Sequence, residues 1–210
     1  FPQQVKQQLE AVFERMQEPL ILELYLDEKA ISTELRSYME ELAQLTPKLT
    51  VRKSTEGAEH MPLVRVLRSD GSDSGLAFHG VPGGHEFTSF IMGLYNVAGP
   101  GQALDEETMD RIKALDAPTD MQIFVSLSCT MCPELVIAAQ HIAALNPNVR
   151  AEAYDLNHFP ALKETYNVMS VPCLVLNGEK MLFGKKSISQ LLDMLEQQEQ
   201  KSRTSDRPEG

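Results

Sequence analysis

Residues Phe124 to Val136 read FVSLSCTMCPELV, with two cysteines three positions apart where an apolar run turns into a helical pattern. Three uses compete for such a pair: half a metal site, a structural disulfide, or a dithiol that carries electrons. Beyond the pair, Cys132, Leu135, Val136, Ala139, Ile142 and Ala143 recur at three and four, so they share one face of a helix. Cys132 therefore heads a buried stripe, and Cys129 lies one turn earlier, at the helix N-terminus. Unpaired amides and the positive end of the helix dipole favour a thiolate there, so Cys129 is expected to ionise below the free-thiol value of about 8.5. Pro133 suits the first turn, where its missing N–H would have had no intrahelical partner.

The competing uses are weaker. Zinc takes four ligands, and the chain has no second CxxC or CxxH; Cys173, His141 and His158 show no ligand spacing. No metal is expected. In the redox reading, accessible Cys129 attacks a partner's disulfide and shielded Cys132 then attacks the mixed disulfide, releasing the reduced partner. Cys173 follows Pro172 in an apolar strand and is expected to be buried and inert. Met131, between the two cysteines, is a candidate partner contact.

The rest of the 210 residues bounds the setting. Apolar residues at 42% and charged residues at 23% describe an ordinary globular chain, with room for one large or two smaller domains. A formal charge of −11 argues against a nucleic-acid partner, which needs clustered Lys and Arg. No apolar run reaches the roughly 18 residues of a membrane helix, and the N-terminus has no signal-peptide pattern. The expectation is a soluble, cytoplasmic protein without a membrane partner.

Periodicity places a lead helix over 4–16, a strand over 20–26, a helix over 33–45, strands over 49–54, 62–69 and 75–80 around the turn DGSDSG, and a helix over 86–99. Gly99-Pro100-Gly101 breaks the pattern. A helix over 105–115, the strand 121–127, the dithiol helix, the strand 149–155, a short helix near 160–166, strands over 172–178 and 180–184, and a helix over 187–197 follow. The second half thus repeats the first, except that the connector Glu56 to His60 stands where the second half has its middle helix. Met61-Pro62-Leu63-Val64 and Val171-Pro172-Cys173-Leu174 hold equivalent places.

Each half, with a proline heading a hairpin strand, resembles a thioredoxin fold. The expected class is α/β: two contiguous thioredoxin-like folds with mixed central sheets flanked by helices, the dithiol only in the second. The units are residues 1–101 and 102–199, and the polar residues 200–210 read as a disordered tail or a linker.

The string SLSCTMCPELV, the segment GHEFTSFIMGL (Gly84 to Leu94) and the two-unit layout with one dithiol together resemble the N-terminal domain of the flavoprotein component of bacterial alkyl hydroperoxide reductase. The resemblance implies an electron relay. A thioredoxin reductase-like flavoprotein domain would pass electrons from NAD(P)H through FAD to its own dithiol, then to this one, which would reduce a peroxiredoxin. Carried over by position, Cys129 would be the interchange thiol, Cys132 its resolving partner, and Glu86 an acid or base reaching the dithiol from the first unit. Against that role, an acid in a helix's first turn is favoured by the dipole alone. Ser128, Thr130, Met131, Val171 and Pro172 would touch the partner. The chain has no G-x-G-x-x-G, so no FAD or nucleotide is expected in this chain itself. The alternative is a free-standing general oxidoreductase of glutaredoxin or disulfide-isomerase type.

Overall fold

A computed structural model describes residues 1–205. The elements run α1 (Gln3–Arg15), β1 (Leu20–Tyr25), α2 (Ala30–Ala43), β2 (Leu49–Lys53), β3 (Leu63–Arg68), β4 (Asp73–His79), α3 (Glu86–Ala98), α4 (Glu106–Ala114), β5 (Thr119–Val125), α5 (Cys132–Leu145), β6 (Val149–Asp155), a 3-10 turn (Leu156–His158), α6 (Pro160–Thr165), β7 (Cys173–Leu176), β8 (Lys180–Phe183) and α7 (Ile188–Ser205). All eight strands join one sheet in the order β2-β1-β3-β4-β6-β5-β7-β8.

The two halves therefore do not keep separate sheets. β4 pairs with β6 in parallel, Leu76 opposite Ala151 and His79 opposite Tyr154, which makes one sheet of two. Gly75 permits this approach: its φ is +87°, and a Cβ there would lie 2.6 Å from the Val149 carbonyl. The seam is laced by charge. His79 Nε2 lies 2.8 Å from Glu152, Arg150 lies 2.9 Å from Asp73, and Arg65 reaches both Asp73 and Glu152. Burial alone would raise the Glu152 carboxyl, but the His79 bond and the Arg65 and Arg150 charges outweigh it and hold it at about 2.

Strand alternation sorts side chains onto two faces. Met121, Ile123 and Val125 of β5, Ala151 and Ala153 of β6 and Leu174 and Leu176 of β7 enter the large core, which takes in α1, α2, α3, α5 and α7. Phe124, Tyr154, Cys173 and Val175 point the other way, under Phe159, Leu162 and Val168 around α6. The first half has no helix between β2 and β3. Where α6 would lie, the sheet instead presents an ion-paired surface, with Arg52 2.7 Å from Glu23 and Arg65 over the Tyr25 ring. Losing that helix and replacing apolar by charged residues on the uncovered face are two sides of one change.

Several sequence boundaries shift. α2 starts at Ala30, three residues earlier than expected, because Lys29 already has the extended backbone of a cap and the Ser32 hydroxyl turns back to Asp27. β4 starts at Asp73 inside the expected turn, since Asp73 still pairs with Leu67 across a register shift. The tail expectation needs correction: 200–205 continue α7 and are not a disordered tail. The Glu199 carboxylate, largely buried, accepts the N–H groups of Asp116 and Ala117 at 2.9 Å each, and Arg203 reaches Asp116 at 2.9 Å, so the polar helix end is tied to the body. The remainder of the expected tail, 206–210, lies outside the described residues. No helix among the described residues is long and apolar enough to cross a membrane.

Candidate functional site

Strand directions bring the chemistry to one edge of the sheet. β1, β2, β4, β5 and β6 all end there, and β3 and β7 begin there, since Leu63 pairs with Tyr25 and His79, and Cys173 with Phe124. The edge thus collects the dithiol loop after β5, Asp155 at the end of β6, both proline loops and the segment 80–86.

Cys129 and Cys132 form a disulfide with Cα atoms 5.6 Å apart. Cys132 is the first residue of α5 and fully buried, whereas Cys129 is partly exposed in the preceding turn, its N–H bonded to the Ser126 carbonyl at 3.0 Å. Met131 occupies the cap position without a side-chain hydrogen bond, and Pro133 sits in the first turn. The first-turn amides are therefore not occupied by a capping side chain and face the sulfurs' end of the helix. Ser128, Thr130 and Met131 are at least partly exposed, Met131 by 51%, and Met169 stands out at 80%. The Val171-Pro172 peptide is cis, with Val171 half-buried and Pro172 buried; Met61-Pro62 is cis as well. Cys173 is buried, and burial pushes its thiol up to about 11. Among the described residues no group of three or more His, Cys, Asp and Glu is arranged to hold a metal ion.

The first half walls this site. Gly84 has φ +54°, and a Cβ there would stand 2.6 Å from the Leu127 carbonyl; the next residue, His85, donates its N–H to that same oxygen at 2.9 Å. Leu127 lies two residues before Cys129. Glu86 follows as the first residue of α3 and is fully buried. The Ser89 hydroxyl donates to Oε1 at 2.6 Å, while Oε2 is the one buried side-chain polar atom without a partner among the described residues. Burial, opposed by the Ser89 bond and reinforced by the charge of Asp155, raises the Glu86 carboxyl to about 7. The helix dipole would favour the ionised form, but a dipole effect of about 1 kcal/mol cannot offset full desolvation. An acid placed only to suit the dipole would sit in water. A buried, half-bonded carboxyl that titrates near neutrality can take up or release a proton during turnover.

Sequence reasoning singled out both cysteines, Glu86 and the Val171-Pro172 loop, and the fold brings them to this one edge. It missed Asp155, buried at the end of β6 beside Val125 of β5; the only signal was an acid ending the strand VRAEAYD. It missed as well the hold of the GVPGGHEF segment on Leu127, of which the paired glycines were a partial sign.

A dithiol at a helix start, with one sulfur reachable and the other covered, at the same sheet edge as a cis-proline loop and a buried carboxyl, places the chain in the thioredoxin class of thiol-disulfide oxidoreductases. A thioredoxin domain family model matches residues 119–196, which contain the dithiol. The chain is 35% identical to the F component of alkyl hydroperoxide reductase, AhpF, of Pseudomonas aeruginosa over 188 residues, which are 90% of this chain and 36% of that protein. It is 30% identical to a Bacillus subtilis protein named NADH dehydrogenase, again over 90% of this chain and 36% of that protein. A crystal structure of the N-terminal domain of Enterococcus faecalis AhpF superposes with a TM-score of 0.88 at 37% identity, covering 93% of this chain and 99% of that domain. The chain belongs to the AhpF family of alkyl hydroperoxide reductase components and corresponds to its N-terminal domain. It spans about a third of the length of the full-length relatives that it matches.

Proposed function

We propose that the chain carries electron pairs from a flavoprotein disulfide reductase domain to the disulfide of a peroxiredoxin in the cytoplasm, with 1–101 as scaffold and wall and 102–199 as the redox unit. The observation that carries this reading is the Cys129–Cys132 disulfide whose loop is held at Leu127 by the Gly84–His85 segment of the dithiol-free half. FAD and NAD(P)H belong to the reductase partner; the name NADH dehydrogenase of one relative supports the nucleotide.

In the reduced chain, the Cys129 thiolate attacks one sulfur of the peroxiredoxin disulfide; that S–S bond breaks, a mixed disulfide forms and the other partner sulfur leaves as a thiolate. Cys132 then gives its proton to Glu86 and attacks Cys129. The Cys129–Cys132 bond forms, the mixed bond breaks, and Glu86 returns the proton to a leaving thiolate. Two electrons have moved to the partner. The flavoprotein's dithiol reverses the sequence. Ser128, Thr130, Met131, Val171 and Pro172 frame the approach to Cys129, the exposed Met131 supplying apolar contact.

The test is stopped-flow transfer from the reduced chain to an oxidised bacterial two-cysteine peroxiredoxin, with insulin as a general disulfide. Fast, saturable transfer to the peroxiredoxin, slow transfer to insulin and a trapped mixed disulfide in Cys132→Ser are expected. Equal rates on both substrates would instead indicate a general oxidoreductase and overturn the reading. Glu86→Gln should slow transfer to the peroxiredoxin on the order of 10- to 1000-fold.

A further inference from the structure

The strand LVRVLR ends on Arg68, which pairs with Leu20 at the start of β1 and so lies at the edge of the sheet opposite the dithiol. There the guanidinium meets the last turns of two helices that start at the dithiol edge. Nη1 donates to the Val97 carbonyl of α3 at 3.1 Å, and Nη2 donates to the Ala144 carbonyl of α5 at 2.8 Å. The last carbonyls of a helix have no intrahelical partner, and both of these residues are buried. Neither helix carries a basic residue in its own last turn, so one side chain from β3 serves the negative ends of both. The planar fork of the guanidinium sets the separation of its two donors. Its backbone is fixed as well: the Arg68 N–H bonds to the Ser72 carbonyl at 2.8 Å, and its own carbonyl accepts the Gly71 N–H at 2.9 Å.

We propose that Arg68 is a positioning residue for disulfide transfer: by tying the last turns of α3 and α5 to one rigid fork, it fixes the place of Glu86 relative to Cys132. The inference rests on the reading of Glu86 as the acid-base group.

The two helices carry the relay groups on their first residues, Glu86 on α3 and Cys132 on α5. They belong to different halves of the chain, and three contacts join them along their length. At the dithiol edge the Leu127 carbonyl, in the loop before α5, accepts the His85 N–H at 2.9 Å. In the middle Gly93 lets α3 approach α5 closely, since a Cβ there would lie 3.1 Å from Gln140 Oε1. At the far edge stands Arg68. A helix of 13 or 14 residues is a rod of about 20 Å, so an axial slip of one last turn past the other is carried to the first turns. The middle contact is glycine against a flexible amide and resists such a slip weakly. A fork that holds one carbonyl of each helix resists it directly. Lysine at this position would be a point charge on a flexible stem and would not set the separation of the two carbonyls.

Transfer to an oxidised bacterial two-cysteine peroxiredoxin is measured for four full-length chains: wild type, Arg68→Gln, Glu86→Gln and the double variant, each at a temperature where it is folded. A misplacement of about 1 Å can cost on the order of a hundredfold, so Arg68→Gln should slow transfer by about 10- to 100-fold. In the Glu86→Gln background the same change should add little, because the group that Arg68 places is already gone. NMR supplies a readout at the opposite end of the helices: the amide proton of His85 should move upfield in Arg68→Gln as its bond to Leu127 lengthens. Arg68→Lys should fall between the two, and if Arg68→Gln does not fold, Arg68→Lys is read in its place. A folded variant of lower stability that transfers at the wild-type rate, or whose His85 amide is unmoved, makes Arg68 a helix-end stabiliser only and overturns the inference. Equal slowing with and without Glu86 overturns it as well. A Glu86→Gln chain that transfers at the wild-type rate overturns the acid-base reading instead, and the His85 amide still decides whether Arg68 sets the placement of the two helix starts.

Discussion

Replacing Glu86 with glutamine should change how the stability of the chain depends on pH, by an amount the structure supplies. The wild-type carboxyl is fully buried and binds its proton with a pKa near 7, against an ordinary value of 4.5. Because the folded-state value is raised, the folded chain holds the proton more tightly than the unfolded chain. The stability linked to that proton is fully present below about pH 4.5 and is lost as pH rises towards and through 7. A rise from 4.5 to about 7, at about 1.4 kcal/mol per unit, amounts to about 3 kcal/mol. Glutamine keeps the volume and an oxygen for the Ser89 hydroxyl but has nothing to ionise. The variant and the wild type should therefore be of similar stability at about pH 5, and the variant should gain on the wild type by up to about 3 kcal/mol at about pH 8. Urea unfolding of the oxidised form, followed by circular dichroism at half-unit steps across that range, measures this difference while contributions from unaffected groups cancel. Two stability profiles that run parallel throughout would show that burial does not raise Glu86, and the proton-transfer role would lose its basis.

Gly84→Ala should cost on the order of 2 kcal/mol or more and slow disulfide exchange, because φ +54° strains a side chain and the new Cβ meets the Leu127 carbonyl; thermal unfolding and transfer kinetics check both. Glu199→Ala leaves the Asp116 and Ala117 amides without their acceptor and should cost about 2 kcal/mol, with faster hydrogen exchange over 199–205. After reduction, native alkylation with mass spectrometry should label Cys129, and alkylation in denaturant should add Cys132; without reduction neither should react. Cys173, buried with its thiol at about 11, should react only in denaturant, and native labelling of Cys173 would contradict its placement in the core.

Much of this protein was legible in one dimension because its signals are local. The dithiol declared itself by a three-residue spacing at the start of an apolar helix stripe, and the repeat by two X-Pro hairpin strands about 110 residues apart. Alternation and three-four periodicity located nearly all the elements, since each buries one face and exposes the other. Tertiary structure decided what depends on groups distant in the chain. Strand pairing has no sequence address, so the fusion of the halves through β4 and β6 emerged only from the packed sheet. A polar stretch reads as loose tail until Glu199 is seen to bind amides more than eighty residues away. Glu86 at a helix start is an ordinary acid by sequence. Only the fold strips it of water, leaves Oε2 unpaired and sets Asp155 against it, because burial and field come from all the chain that surrounds a group and not from its neighbours in sequence.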